Sequence, residues 1–179
     1  MIYVFLADGF EECEALVPID ILRRSDIPVK TVGVGSKDIT GSHGITVACD
    51  LTEDEVVTDN LKGIMLPGGM PGTLNLEKSE TVQSFIDYAA NNSLLIGAIC
   101  AAPSILGHKG LLSGKKATCF TGFEKDLIGA EVLSVPVVRD ENFVTAYGAG
   151  AAFPFGFTLL EALTDKNTAE ALKKQMRYI

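Results

Sequence analysis

Apolar residues in this chain fall into short unbroken runs, separated by longer stretches in which they recur every three to four positions. The runs at 3–6, 29–34, 63–66, 94–96, 116–119 and 143–146 have strand-type composition, and all but 116–119 contain Val, Ile, Leu or Phe. Several lack the polar alternation of a half-exposed strand, so they read as β-strands buried on both faces. Helical patterning fills 11–24, 79–91, 101–107, 151–163 and 166–175. Strands that alternate with helices in this way predict an α/β fold, a mainly parallel sheet between two helical layers. The stretch 37–50 interrupts the alternation: Gly41-Ser-His-Gly44 separates two short alternating runs and predicts a small hairpin at the sheet edge. No internal repeat and no low-complexity segment is visible.

In an open parallel sheet, sites form beyond the carboxyl ends of the strands, so the residues that follow strands are the candidates for chemistry. The run 94–106 passes from an apolar strand through one cysteine into a helical pattern, which places Cys100 on a strand-to-helix elbow. Gly97, Ala98, Ala101 and Ala102 leave room for a tight turn, and Pro103 suits a first helical turn. A helix start beside the sulfur predicts a thiol that ionises easily; the plain alternative is a small buried hydrophobe. In the first helix Glu14 shares a face with Val17 and Ile21, which puts a carboxyl group on the apolar side. Burial beside a thiolate would favour its protonated form, able to donate a hydrogen bond to sulfur; the alternative is a solvated glutamate at a frayed helix start. Glu11 and Glu12 have an ordinary explanation in the dipole of that helix, and Pro18 predicts an irregularity in it. The glycines of Pro67-Gly-Gly-Met-Pro-Gly72, Gly68 and Gly69 among them, expose backbone N–H groups suited to an oxyanion, although such turns are commonly plain turns. Residues 147–150 follow the last strand. The only histidines are His43, in the hairpin, and His108, two turns beyond Cys100, so a cysteine–histidine dyad within one subunit is poorly supported.

Composition narrows the picture. A chain of 179 residues with 47% hydrophobic content fits one globular domain spanning 1–179. The net charge of −8 offers no basic footprint for nucleic acid or an anionic membrane. No apolar run reaches bilayer-spanning length, and Met1-Ile-Tyr-Val-Phe-Leu6 lacks a basic leader, so a cytoplasmic location is expected. Four cysteines without zinc-type spacing predict reduced thiols and no metal site.

Glu14 after the first strand, Leu66-Pro-Gly-Gly69, Ala98-Ile-Cys-Ala-Ala-Pro103 and the glycine-rich turn at Gly148 occur together, in order, over nearly the whole chain. In this the chain resembles the ThiJ/PfpI superfamily, in particular the branch of the human parkinsonism-associated protein deglycase and its bacterial relatives. The resemblance implies a flavodoxin-like three-layer sandwich assembled as a homodimer. It matches Cys100 to the family's reactive cysteine, Glu14 to the carboxylic acid that hydrogen-bonds the sulfur, and Gly69 and Ala101 to the N–H donors of an oxyanion-like pocket. Three departures stand out. Ala101 occupies a position where protease-like members carry histidine, Phe120 one where the human branch member has a histidine near the cysteine, and Ala102 and Ala149 replace a glycine and a proline. Cys49 falls at a position that is a dimer-interface cysteine in the human relative, and an ordinary strand cysteine explains it as well. Cys13 and Cys119 flank the site segments, as resolving thiols or as bystanders.

The function implied is cofactor-free, glyoxalase III- or deglycase-like action on reactive carbonyls or glycated groups, with Cys100 as nucleophile and Glu14 as proton shuttle. A redox-sensing, chaperone-like role for an oxidisable Cys100 is the alternative. A small hydrolase or peptidase is the weakest reading, because the histidine is missing.

Overall fold

The computed structural model describes residues 1–178. A seven-stranded sheet forms the centre, built from β1 (Ile2–Leu6), β2 (Val29–Gly33), β5 (Leu51–Thr52), β6 (Gly63–Leu66), β7 (Leu95–Ile99), β10 (Val137–Asp140) and β11 (Phe143–Ala146), in the order β10-β11-β7-β6-β1-β2-β5. All neighbours run parallel except the edge pair β10–β11. The remaining strands form two small separate sheets, the hairpin of β3 (Asp38–Thr40) with β4 (Thr46–Ala48) and the pair β8 (Lys116–Ala117) with β9 (Glu131–Val132).

Every residue of β1 is buried, and its period of two divides them between layers. Ile2, Val4 and Leu6 join a core with α1 (Glu12–Arg24), α5 (Ala152–Leu163) and α6 (Lys166–Gln175). Tyr3 and Phe5 join a second core on the opposite face, with α2 (Gly72–Lys78), α3 (Glu80–Asn91) and α4 (Pro103–His108). This is the flavodoxin-like three-layer arrangement. Close approach is built in where α5 meets its neighbours: a Cβ on Gly97 of β7 would stand 2.9 Å from a Leu159 methyl, and one on Gly156 of α5 would stand 2.6 Å from Ile21 Cδ1 and 3.1 Å from Pro18 Cα. α1 runs unbroken through Pro18, so the predicted irregularity does not interrupt it.

Several expectations need correction. The strand predicted at 116–119 contributes nothing to the central sheet: only Lys116 and Ala117 pair, and they pair with β9. Beyond them the Thr118 N–H donates to Thr145 Oγ1 at 2.9 Å and the Phe120 N–H to the Cys100 carbonyl at 2.8 Å, so the segment crosses the strand ends instead of extending a ladder. The hairpin predicted at the sheet edge forms its own sheet. The strand predicted at 94–96 runs on to Ile99, and the helix predicted from 101 begins at Pro103. Among the described residues no helix is long and apolar enough to cross a membrane.

Candidate functional site

The chain leaves β1 toward β2 on one side and leaves β6 toward β7 on the other. The connections therefore diverge between β1 and β6, which opens a crevice at their carboxyl ends. Registers Leu66↔Ala98 and Ala146↔Ile99 bring Pro67, Cys100 and Tyr147 out of the sheet side by side. The Ile99 carbonyl accepts from the Ala102 N–H at 3.1 Å and closes a four-residue turn with Cys100 at its second position. Cys100 there has φ +65°, a left-handed conformation that costs a residue with a Cβ about 1–2 kcal/mol. Hydrogen bonds from the Cys100 N–H to the Ala146 carbonyl and from the Phe120 N–H to the Cys100 carbonyl, both 2.8 Å, hold the backbone from two sides.

Glu14 arrives from the first turn of α1. Glu11 caps that helix, its carboxylate accepting the Glu14 N–H at 2.7 Å. The Glu14 side chain is 1% exposed and lies within hydrogen-bonding reach of the Cys100 thiol. Its Oε2 accepts the Gly68 N–H at 2.9 Å. A Cβ on Gly68 would stand 2.6 Å from both that oxygen and Cys100 Cβ, so only glycine fits between the two groups. Gly68 was expected to face a ligand; its N–H is instead committed to Glu14. The backbone N–H groups of Gly69 and Ala101 reach the sulfur.

Burial raises the Glu14 carboxyl from its ordinary 4.5 to about 7, against the lowering effect of hydrogen bonds from Cys100 and the Gly68 N–H. The Cys100 thiol is pushed up to about 12, first by burial and then by the Glu14 charge, with the Gly69 and Ala101 N–H groups pulling it down. Burial and the Glu14 carboxylate thus oppose the easily ionised thiol that the sequence predicts. The physical basis of that expectation was the dipole of the following helix, but α4 has six residues and starts three residues past the sulfur, too short and too late to outweigh a carboxylate in contact. As the pH rises through about 7 the pair passes from uncharged to singly negative, with the charge on Glu14.

Neither imidazole reaches this pair within the chain. His43 Nδ1 lies 2.8 Å from Glu12 Oε2 and 3.2 Å from Ser42 Oγ, and His108 Nδ1 lies 2.6 Å from Glu77. Glu12 is more than a dipole partner: it is buried and accepts the His43 N–H at 2.7 Å, clasping the hairpin to α1. Glu11, Glu12 and His43 place potential metal-ligand atoms within 4.8 Å of one another, yet the Glu12 carboxylate is already taken up by that clasp. Cys13 is exposed on α1, whereas Cys49 and Cys119 are buried, which raises both thiols to about 11.

A family model described as the DJ-1/PfpI family matches residues 1–162. The chain belongs to the DJ-1/PfpI family. Protein dj-1beta of Drosophila melanogaster is 32% identical over 174 residues, which cover 96% of this chain and 93% of that protein. A deglycase of Thermococcus kodakarensis is 30% identical over 151 residues, covering 83% of this chain and 90% of its own. Among solved structures, a DJ-1 superfamily protein of Salmonella typhimurium, crystallised as a cysteine-to-alanine mutant, superposes with a TM-score of 0.94 at 32% identity and covers 99% of this chain and 98% of its own. Oxidized DJ-1 of Toxoplasma gondii gives a TM-score of 0.94 at 30% identity, covering 99% and 97%. Within the DJ-1/PfpI frame, sequence reasoning read Glu11 only as a dipole partner and Tyr147 only as part of the segment after the last strand; Glu11 in fact caps α1, and Tyr147 stands 43% exposed at the end of β11. An acidic residue one turn before Glu14 and an aromatic next to the Gly148 turn were the available signals.

Proposed function

We propose that this DJ-1/PfpI protein converts reactive α-oxoaldehydes, or their early adducts on amino and nucleotide groups, using Cys100 and Glu14 with no group beyond side chains, backbone N–H groups and water. The observation that carries the reading is a buried carboxyl group at about 7 in contact with a thiol held at about 12. A carboxylate titrating near neutrality is suited to proton transfer. As the sulfur bonds to the aldehyde carbon of methylglyoxal, Glu14 takes the thiol proton. The carbonyl electron pair moves to oxygen, where the Gly69 and Ala101 N–H groups stabilise it. The proton then passes from Glu14 to that oxygen and completes a hemithioacetal. Glu14, ionised again, removes the proton on the former aldehyde carbon and returns it to the neighbouring carbon through an enediol, which leaves a lactoyl thioester. Water cleaves the thioester to lactate and restores the thiol. The deglycase among the relatives supports this substrate class.

The test is lactate formation from methylglyoxal by the purified protein without glutathione, beside Cys100→Ser. Turnover that is lost in the variant is expected; its absence in the unaltered protein overturns the reading. A second reading, oxidation of Cys100 by peroxide to a sulfinate held by protonated Glu14, is favoured by the oxidized state of the Toxoplasma relative. It predicts a Cys100 sulfinate in the mass spectrum at peroxide doses that spare Cys13 and Cys119. Assembly as a homodimer belongs to the same proposal, and a measured mass near 38 kDa, twice the chain's 19.0 kDa, is its expected signature.

A further inference from the structure

Beside the thiol–carboxyl pair lies a cleft of about 370 Å³ lined by Phe120, Thr121, Tyr147, Gly148, Ala149 and Gly150. It adjoins the reacting atoms through three links. The Phe120 N–H donates to the Cys100 carbonyl at 2.8 Å. A Cβ on Gly148 would stand 3.3 Å from the Phe120 ring and 4.0 Å from Glu14 Oε1. Tyr147 directly follows Ala146, whose carbonyl accepts the Cys100 N–H. Two large aromatic side chains stand exposed here, Phe120 at 49% and Tyr147 at 43%, although neither makes a ring–ring contact with the other among those of the described residues.

We infer that this cleft selects the substituent of the α-oxoaldehyde, and that Phe120 and Tyr147 favour an aryl group over a methyl group. The inference rests on the function proposed above. A methyl group takes about as much room as a water molecule, roughly 30 Å³, and would leave the cleft almost empty and both rings wet. With the aldehyde carbon at the sulfur, a phenyl ring on the neighbouring carbon would enter this cleft, lined by Phe120 and Tyr147. Aromatic rings gain from offset or edge contact as well as from the water they displace, and an aliphatic chain would gain only the second. Gly148, Ala149 and Gly150 line the cleft without a side chain bulky enough to close it.

The experiment measures kcat/KM for phenylglyoxal and for methylglyoxal with the unaltered protein, Phe120→Ala and Phe120→Tyr. The ratio of the two constants is expected to fall about tenfold in Phe120→Ala, the worth of ~1.4 kcal/mol, and to be retained in Phe120→Tyr. A ratio unmoved by Phe120→Ala overturns the inference and leaves the proposed function standing. If the unaltered protein turns over neither aldehyde, the proposed function falls, and alkylation of Cys100 decides the cleft separately. Iodoacetamide transfers a carbamoylmethyl group and N-phenyliodoacetamide a phenylcarbamoylmethyl group to sulfur, each with loss of iodide and of the thiol proton, and mass spectrometry of the Cys100 peptide reports the rates apart from those of the exposed Cys13. A several-fold preference for the phenyl reagent that disappears in Phe120→Ala supports the aryl site; a preference no greater than that of free N-acetylcysteine overturns it.

Discussion

Replacing Glu14 by glutamine isolates the ionisation on which the chemistry depends. Glutamine keeps the shape, accepts the Gly68 N–H through its carbonyl oxygen and presents an amide N–H to sulfur, but cannot ionise. A rise in the carboxyl group from 4.5 to about 7 on folding corresponds, at ~1.36 kcal/mol for each pH unit, to about 3 kcal/mol. Below about pH 4.5 the folded and unfolded chains both hold the proton. As the pH rises from 4.5 to about 7 the unfolded chain releases it while the folded chain retains it, so stability is progressively lost. Above about pH 7 both are ionised and the whole cost is in place. Urea unfolding of the unaltered protein and Glu14→Gln at intervals from pH 4.5 to 8 gives the difference in stability at each pH. His43 and His108, both raised by carboxylate neighbours, add a pH dependence of their own, but they are common to the two proteins and largely cancel. The difference should move against the unaltered protein by about 3 kcal/mol over the range. A flat difference would mean that Glu14 ionises as it does in water, and the account of it as a proton carrier near neutrality would fail with it.

Gly68→Ala would press a methyl group within 2.6 Å of both Cys100 Cβ and Glu14 Oε2; turnover of methylglyoxal should drop about a hundredfold, since small displacements of reacting groups are that costly, and an unimpaired variant would contradict the geometry. Cys100→Gly should unfold at a higher urea midpoint than Cys100→Ala, by about 1 kcal/mol, because glycine has no Cβ to oppose φ +65°; coincident midpoints would mean that the turn carries no strain. For the unaltered protein kcat/KM for methylglyoxal should rise with pH through about 7 as Glu14 becomes available as a base, and that limb should vanish from the profile of Glu14→Gln. Gly156→Ala drives a methyl group to 2.6 Å from Ile21 Cδ1 and should cost about 1–3 kcal/mol by overpacking while leaving kcat within twofold, which calorimetry and steady-state kinetics would check together.

The buried parallel strands were legible because nothing competes with their signal. Residues 3–6 and 63–66 are apolar without interruption, and a strand covered on both faces is the economical home for such runs. β10 escaped notice because it is an edge strand containing Arg139 and Asp140, whose pattern resembles a polar loop. The run at 116–119, Lys-Ala-Thr-Cys, is less apolar than these; its neighbours in space come from residues 131–132 and 145, and no local pattern announces partners so far along the chain. At the site, the positions of Cys100 and Glu14 could be read from spacing. Their charge balance could not, because it depends on the almost complete burial of Glu14 and on which N–H groups face which atom. Glu12 makes the same point, since its role is set by His43, 31 residues away.

The site combines two unfavourable features, a thiol-bearing residue in a left-handed turn and a carboxyl group in an apolar interior. Together they cost several kcal/mol, a large share of the ~5–15 kcal/mol by which a domain is stable. Such features persist only when the surroundings over-determine them, and here the determination comes from backbone atoms. The Cys100 peptide groups are fixed by Ala146 and Phe120, Glu14 is fixed by a Gly68 N–H and a helix capped by Glu11, and Cys100 follows directly on β7, whose strand residues are shared between two cores. None of these bonds requires the thiol or the ionised carboxylate. The reactive side chains can therefore be exchanged with the turn intact, which allows the oxidised, alkylated and substituted forms of Cys100 to be compared as chemistry on one unchanged scaffold.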